Sequence, residues 1–230
     1  MTAAPAARVA VVVGGGGRPD VDLVDLGDLG DHPLVIAADS GLGHARELGL
    51  AVDRVVGDMD SVEPAVLDAA SAAGTRIDRY PEAKDATDLE LALEVALAAG
   101  PARLVVVTGR GDRLDHALAV ALALAAPGRS AGVDVEAWIG PAHLWVVRRR
   151  ATLVGRPGDV VSLLPAHGPA RGVTTTGLLY PLVDDDLSPG TSRGVSNEWV
   201  AEEATVRLRS GVLLAVAPGT AGTHWARTRA

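Results

Sequence analysis

Two aspartates one residue apart, Asp58 and Asp60, close an apolar run in Val55-Val56-Gly57-Asp58-Met59-Asp60-Ser61. In extended backbone, residues i and i+2 face the same side, so both carboxylates enter one space, an arrangement suited to a cation. Three further segments repeat the order of apolar run and then acid: Ala37-Ala38-Asp39-Ser40-Gly41, Lys84-Asp85-Ala86-Thr87-Asp88, and Gly109-Arg110-Gly111-Asp112-Arg113-Leu114-Asp115-His116. A single Asp-x-Asp usually marks a solvated turn, whereas four acidic loops at successive strand ends point to a site. The candidate ligands are carboxylates with no Cys or His cluster in competition, so the ion is hard and oxygen-seeking, and magnesium is expected.

Lys84 is the only lysine of the chain, all other basic side chains apart from histidine being arginines. A compact ammonium beside Asp88 resembles one phosphate contact plus one metal ligand. Asp88 has a plainer reading as well, an acid favoured in a first helical turn by the helix dipole. Arg113 is suited to meeting phosphate oxygens bidentately, with Asp115 orienting it or touching substrate; the alternative for both is an ordinary helix start. His116 reads as a structural donor at that start, with a general base as the alternative.

Such loops need a scaffold that gathers strand ends. Apolar runs at 8–13, 34–38, 54–57, 75–80, 103–108 and 133–139 read as strands. Helical patterns separate them: a short piece after Asp39, one after Ser61 with Ser61 as cap and Pro64 in its first turn, one from Thr87 with capping-box spacing, and one that contains His116 and runs through about Ala125. The last carries Leu114, Leu118, Ala121 and Leu122 on one side. Alternation at this spacing predicts an α/β domain over 1–141 with a mostly parallel sheet, and ligands of such sheets gather beyond the strands' carboxyl ends. Gly14-Gly15-Gly16-Gly17 after the first run is either a flexible turn or a set of amides near a phosphate; it lacks the dinucleotide fingerprint, and no Gly-Lys-Ser/Thr occurs. Past Pro141 the runs at 143–147, 160–164, 173–179, 204–208 and 212–216 are short and β-like, which predicts an antiparallel β-sandwich over 142–230.

Composition narrows the partners. A chain of 230 residues, 48% of them hydrophobic, can bury a substantial core. With no cysteine there is no disulfide framework and no thiolate metal site. A formal charge of -8 argues against nucleic acid, which needs an excess of Lys and Arg on one face. It also means that a bound polyphosphate needs a metal between like charges. No basic, apolar leader opens the chain and no apolar run is long enough to span a bilayer, so the cytoplasm is expected and a membrane partner is not.

The acidic segments, together with Gly177-Leu178-Leu179-Tyr180-Pro181-Leu182 and Ser192-Arg193-Gly194-Val195-Ser196-Asn197-Glu198, occur in the order and spacing of bacterial thiamine pyrophosphokinases, which the chain resembles over nearly its whole length. The resemblance implies an α/β nucleotide-binding domain coupled to a β-sandwich, a homodimer with its active site at the interface, and transfer of a pyrophosphoryl group from ATP to the hydroxyl of thiamine, giving thiamine diphosphate and AMP. It implies Asp58, Asp60 and Asp88 as magnesium ligands. Lys84 and Arg113 become polyphosphate contacts, with Asp39 and Asp115 lining the cleft and His116 beside the nucleotide. The sandwich would supply thiamine contacts: Ser196 and Asn197 as polar groups, and Tyr180 or Trp199 as an aromatic face suited to a cationic two-ring acceptor. For Tyr180 a place in the sandwich core is the alternative.

Three positions depart from the family: Ser40 stands where a second glycine is usual, Asp112 where a glycine is frequent, and Val120 where an asparagine is common. They bear on the shape of the nucleotide pocket. Other readings are a phosphotransferase with another acceptor and a catalytically silent homologue that binds nucleotide or thiamine diphosphate.

Overall fold

A computed structural model of the chain describes residues 9–111 and 113–219; Asp112 lies outside them. The chain forms two compact units, one of residues up to 114 with 132–140, the other of residues 115–131 with those from 141 onward.

In chain order the first unit contains β1 (Val9–Val13), β2 (Leu34–Ala38), α1 (Gly41–Glu47), β3 (Arg54–Gly57), α2 (Pro64–Ala72), β4 (Arg76–Arg79), α3 (Asp88–Ala98), β5 (Arg103–Thr108) and, after α4 (Leu114–Ala125), β6 (Asp134–Ile139). Its strands pair in the order β6-β5-β1-β2-β3-β4, all parallel. The central strands are unbroken apolar runs because a parallel sheet is covered on both faces, and all five residues of β1 are buried. At the edge, β4 reads Arg-Ile-Asp-Arg and stays half-exposed, as an unpaired edge must if it is not to recruit another strand. Helix α3 begins where the capping-box spacing predicts: Glu90 N–H donates to the Thr87 hydroxyl at 3.2 Å, and Ala92, Leu93 and Ala96 are buried.

The second unit contains two antiparallel sheets. One has the order β12 (Asn197–Glu198), β9 (Val160–Pro165), β14 (Leu213–Ala217), β7 (Ala142–Val147); the other has β11 (Asp185–Leu187), β10 (Ala170–Thr176), β13 (Glu203–Arg207), β8 (Arg150–Val154). Inward residues of both, among them Trp145, Leu153, Leu163, Val173, Val206, Leu213 and Trp199, form one core, the packing expected of a sandwich. Helix α4 is fastened to this unit by its carbonyl end, where the Arg148 guanidinium donates to the carbonyls of Leu124 (3.1 Å), Ala125 (3.4 Å) and Ala126 (3.1 Å). Its leucines at 114, 118 and 122 point outward, 68, 54 and 46% exposed.

Three sequence expectations shift. The run at 173–179 forms a strand only as far as Thr176, because Gly177 takes φ +74° and turns the chain. Strands β11 and β12 carry too few apolar residues to announce themselves, and β8, Arg-Ala-Thr-Leu-Val, follows directly on the arginines that close the run at 143–147. Ser61 is not a helix cap: α2 is capped by Glu63 without a side-chain bond, and the Ser61 hydroxyl turns to Asp60. Among the described residues no helix is long and apolar enough to cross a membrane.

Candidate active site

From β1 the chain moves outward through β2, β3 and β4, then returns to place β5 on the other side of β1. The strand order therefore reverses between β1 and β5, and ligands of open α/β sheets bind beyond the carboxyl ends at such a point. The loops leaving β1 and β5 are glycine-built, and they touch. A Cβ on Gly109 would lie 1.9 Å from the Gly17 carbonyl oxygen, and one on Gly17 would lie 2.6 Å from the Gly111 Cα, so the backbones meet where no side chain fits. The glycine run is thus a packed wall and not a loose turn. Ser40 belongs to the same wall, its hydroxyl accepting from Gly16 N–H at 3.4 Å.

Beside this wall the carboxyl ends of β2 and β3 deliver the acids. Met59 is buried against Leu42, Val55 and Leu67, which drives Asp58 and Asp60 to the opposite side of the backbone. Asp39 N–H donates to the Val56 carbonyl at 2.9 Å, holding the end of β2 against β3. Asp39, Asp58 and Asp60 each offer a carboxylate oxygen, and these atoms lie within 4.8 Å of one another. Asp39 and Met59 take φ +47° and +66°, left-handed conformations that non-glycine residues adopt at a cost and that cluster at functional sites. The Ser61 hydroxyl donates to Asp60 Oδ1 at 2.8 Å.

Asp39 is 9% exposed and its Oδ1 has no hydrogen-bond partner. Burial pushes its carboxyl above the usual aspartate range, and the nearby charges of Asp88 and Asp60 push the same way. Asp58 is held below that range by the Asp60 N–H and by Lys84. A buried orphan oxygen among converging carboxylates is what an oxygen-seeking divalent ion satisfies, so these residues fit magnesium.

Lys84 reaches into the same cluster. Its Nζ lies 3.2 Å from Asp58 Oδ2 and 2.9 Å from Asp88 Oδ1, with the lysine side chain only 14% exposed. The second contact is an ion pair without hydrogen-bond alignment, and Asp88 Oδ1 has no donor of its own. The Asp88 and Asp58 contacts raise the lysine above its ordinary value. Gly57 lets Asp39 and Asp88 close in from two sides, since a Cβ there would lie 3.2 Å from Asp39 Cβ and 3.1 Å from Asp88 Oδ1. Five of the sequence-nominated residues (Asp39, Asp58, Asp60, Lys84 and Asp88) therefore share one place. Arg113 is exposed just before α4, and Asp115 and His116 are exposed in its first turn.

Two family models match the chain: the thiamin pyrophosphokinase catalytic domain over residues 28–135 and the thiamin pyrophosphokinase vitamin B1 binding domain over residues 147–213. This chain belongs to the thiamine pyrophosphokinase family. It is 25% identical to the thiamine pyrophosphokinase of Bacillus subtilis over 208 residues, 90% of this chain and 96% of that one. The crystal structure of the thiamine pyrophosphokinase from Bacillus subtilis has the same fold, with a TM-score of 0.77 at 24% identity over 92% of this chain and 99% of that one. The enzyme from Geobacillus thermodenitrificans gives 0.74 at 24% over 94% and 99%, and yeast thiamin pyrophosphokinase 0.63 at 13% over 93% and 87%. The general reaction of thiamine pyrophosphokinases is pyrophosphoryl transfer from ATP to thiamine.

The segments that resemble the family's acceptor-binding part lie in the second unit. Tyr180 is 62% exposed and so is not a core residue. It stands on Asn197, which is buried: Asn197 Oδ1 accepts from Tyr180 N–H at 3.0 Å and Glu198 N–H at 2.9 Å, and Nδ2 donates to the Tyr180 carbonyl at 2.8 Å. The amide of Asn197 is thus spent on main chain, beneath Tyr180. Ser196 is exposed at φ +57°, its N–H donating to the Ser162 hydroxyl at 3.1 Å. Trp199 is not an aromatic face for a ligand: it is 1% exposed and packs edge-on against Trp145 in the core. Sequence reasoning gave Asp39 only a lining role and did not place the Ser61 hydroxyl on Asp60. The hydroxyl directly after Asp-x-Asp was the available signal, read there as a cap.

Proposed function

We propose that the chain performs the family's reaction, moving a pyrophosphoryl group from ATP to the hydroxyl of thiamine, with magnesium held by Asp58, Asp60 and Asp39. The observation that carries this is the convergence of those three carboxylates, one of them with a buried orphan oxygen, at the carboxyl edge of a parallel sheet. Asp39 enters as third ligand where the sequence named Asp88, because its carboxylate oxygen lies within 4.8 Å of those of Asp58 and Asp60. A bound magnesium ion would draw charge from phosphate oxygens and orient them.

In the reaction the thiamine hydroxyl oxygen bonds to the β-phosphorus, the bond from that phosphorus to the oxygen shared with the α-phosphate breaks, and AMP leaves with that oxygen. Catalysis is mostly positioning and neutralisation of developing charge. Lys84 and Arg113 meet polyphosphate oxygens; the backbone of the glycine wall at residues 14–17 and 109–111, bare of side chains, lets the same chain of phosphates approach closely. The hydroxyl proton passes to Asp115 or to solvent, since a loose transition state needs no strong base. Tyr180 offers thiamine an aromatic face, Ser196 a hydroxyl, and Asn197 fixes the loop beneath.

The protein acts in the cytoplasm as a homodimer in which acceptor segments of one copy serve the acidic cluster of the other. Exposed Leu114, Leu118 and Leu122 on α4, with Leu179, Tyr180 and Val183, support association with a second copy. Incubation with ATP, magnesium and thiamine tests the reaction: AMP should appear in step with thiamine diphosphate. ADP as the nucleotide product would make the protein a simple kinase, and no thiamine-dependent product would leave only a binding module.

A further inference from the structure

We infer that Lys84 is a built-in cation occupying the second position of a two-cation clamp, so that this chain takes one divalent ion where its carboxylates would otherwise take two. The inference rests on the metal reading proposed above and adds to it a role for the lysine on the protein side of the cluster.

Two-metal phosphoryl-transfer sites share a carboxylate between ions about 3.5–4 Å apart. Asp58 is placed as such a shared ligand. It belongs with Asp39 and Asp60 to the set whose oxygens lie within 4.8 Å, and its Oδ2 also faces Lys84 Nζ at 3.2 Å. On the far side Nζ meets Asp88 Oδ1 at 2.9 Å. The ammonium therefore stands between Asp58 and Asp88 as an ion would, and it is largely shielded from solvent. A second observation points to a ligand beyond the gathering of acids: Asp39 Oδ1 is buried and has no hydrogen-bond partner.

Charge supports the same division. Four carboxylates gather here, and Lys84 is the only lysine in a chain whose other strong bases are arginines. A guanidinium is a broad planar fork, while an ammonium is a compact point charge able to sit where a small cation would. Tethering that charge removes the need to recruit a second ion from solution.

The test counts ions. Purified full-length protein, stripped with chelator, is titrated with Mn2+ and free Mn2+ is read by electron paramagnetic resonance. Wild type should bind one ion per chain, Lys84→Ala two, and Lys84→Ala with Asp88→Asn one again. An alanine variant that still binds one ion, a wild type that binds two, or a second ion that survives loss of Asp88 would each overturn the inference. If Lys84→Ala loses its native circular-dichroism spectrum, Lys84→Gln, which keeps a chain of similar reach without the charge, takes its place in the same count. A wild type that binds no ion overturns the metal reading itself and this inference with it; one ion on every variant overturns the inference alone.

Discussion

Two regions of this chain are rich in aspartate, and they treat it in opposite ways. In the second unit Asp184, Asp185 and Asp186 stand in a row, and each has its own arginine: Arg209, Arg193 at 2.7 Å and Arg171 at 2.9 Å. Asp186 also accepts the Gly172 N–H at 2.9 Å, and that bond, followed by Arg171, holds its carboxyl below the usual range. In the first unit Asp39, Asp58, Asp60 and Asp88 share a single lysine. Among the described residues no basic side chain pairs with Asp39 or Asp60, and the buried Asp39 is pushed up instead of down. The difference teaches that local acidity does not mark a site. Unbalanced acidity does: charges the protein gathers and leaves uncompensated are those it holds for a ligand.

The sharpest way to break the comparison is Asp60→Asn. Asp60 is exposed and holds no core contact, so the fold should persist by circular dichroism while turnover falls on the order of 100-fold or more, the loss of about 2.7 kcal/mol of transition-state stabilisation. Near-normal turnover would remove Asp60 from the ion's ligands.

A smaller effect comes from Asp39→Asn, which relieves like-charge crowding. The metal-free melting temperature should rise, by about 2–4 °C for each kcal/mol relieved in a chain of this size, while the rise normally given by magnesium shrinks. The pH dependence follows from the signs. Asp39 has a raised folded-state value, so metal-free stability is favoured below it and declines as pH climbs through it. Asp58 has a depressed value, so its contribution is present above the ordinary 3.8 and is lost only as pH falls through the depressed value. Metal-free stability from this pair therefore peaks between the two, and stabilisation by magnesium fades as pH falls toward the Asp39 value. Melting curves across mildly acid pH, with and without magnesium, check both signs; Asp39→Asn should flatten the decline toward neutral pH.

Much of this was legible in the sequence, and the failures have physical causes. The parallel unit declared itself because strands covered on both faces must be continuous apolar runs, and β1, β2, β3 and β5 are. The Asp58 and Asp60 pairing followed from two-residue periodicity, with buried Met59 enforcing it. What could not be read was that Asp39 brings an oxygen within 4.8 Å of theirs. Asp39 and Asp88 lie 19 residues before Asp58 and 30 after it, and their approach is set by β2–β3 register and by the missing side chain of Gly57. Strand β11 was invisible because Asp-Asp-Leu is a poor strand by composition, and its acids find arginines distant in sequence. For Asn197 the residue type suits a ligand contact, and the sequence could not show that its amide is bonded to main-chain groups of Tyr180 and Glu198.

That clamp gives the next effect in size. Asn197→Ala leaves the Tyr180 N–H and carbonyl without their partners and should cost about 1–3 kcal/mol of stability. If the clamp serves the acceptor, the KM for thiamine should rise while that for ATP stays near wild type. An equal rise in both would make Asn197 a general stabiliser of the fold.

The smallest effect belongs to the balanced region and completes the comparison. Asp184 and Arg209 are each more than 60% exposed along the side chain, and pairs this open gain little because water screens them. Asp184→Asn should therefore leave melting temperature, magnesium binding and turnover close to wild type. Arg209→Gln, which frees the same acid without removing it, should do likewise and should create no second site for Mn2+, because Asp184 keeps water as its partner and is not buried among other carboxylates. A second Mn2+ ion bound to Arg209→Gln would show that loss of an arginine is enough to turn any acidic loop of this chain into a cation site, and that the burial of Asp39 contributes little to the first unit's cluster.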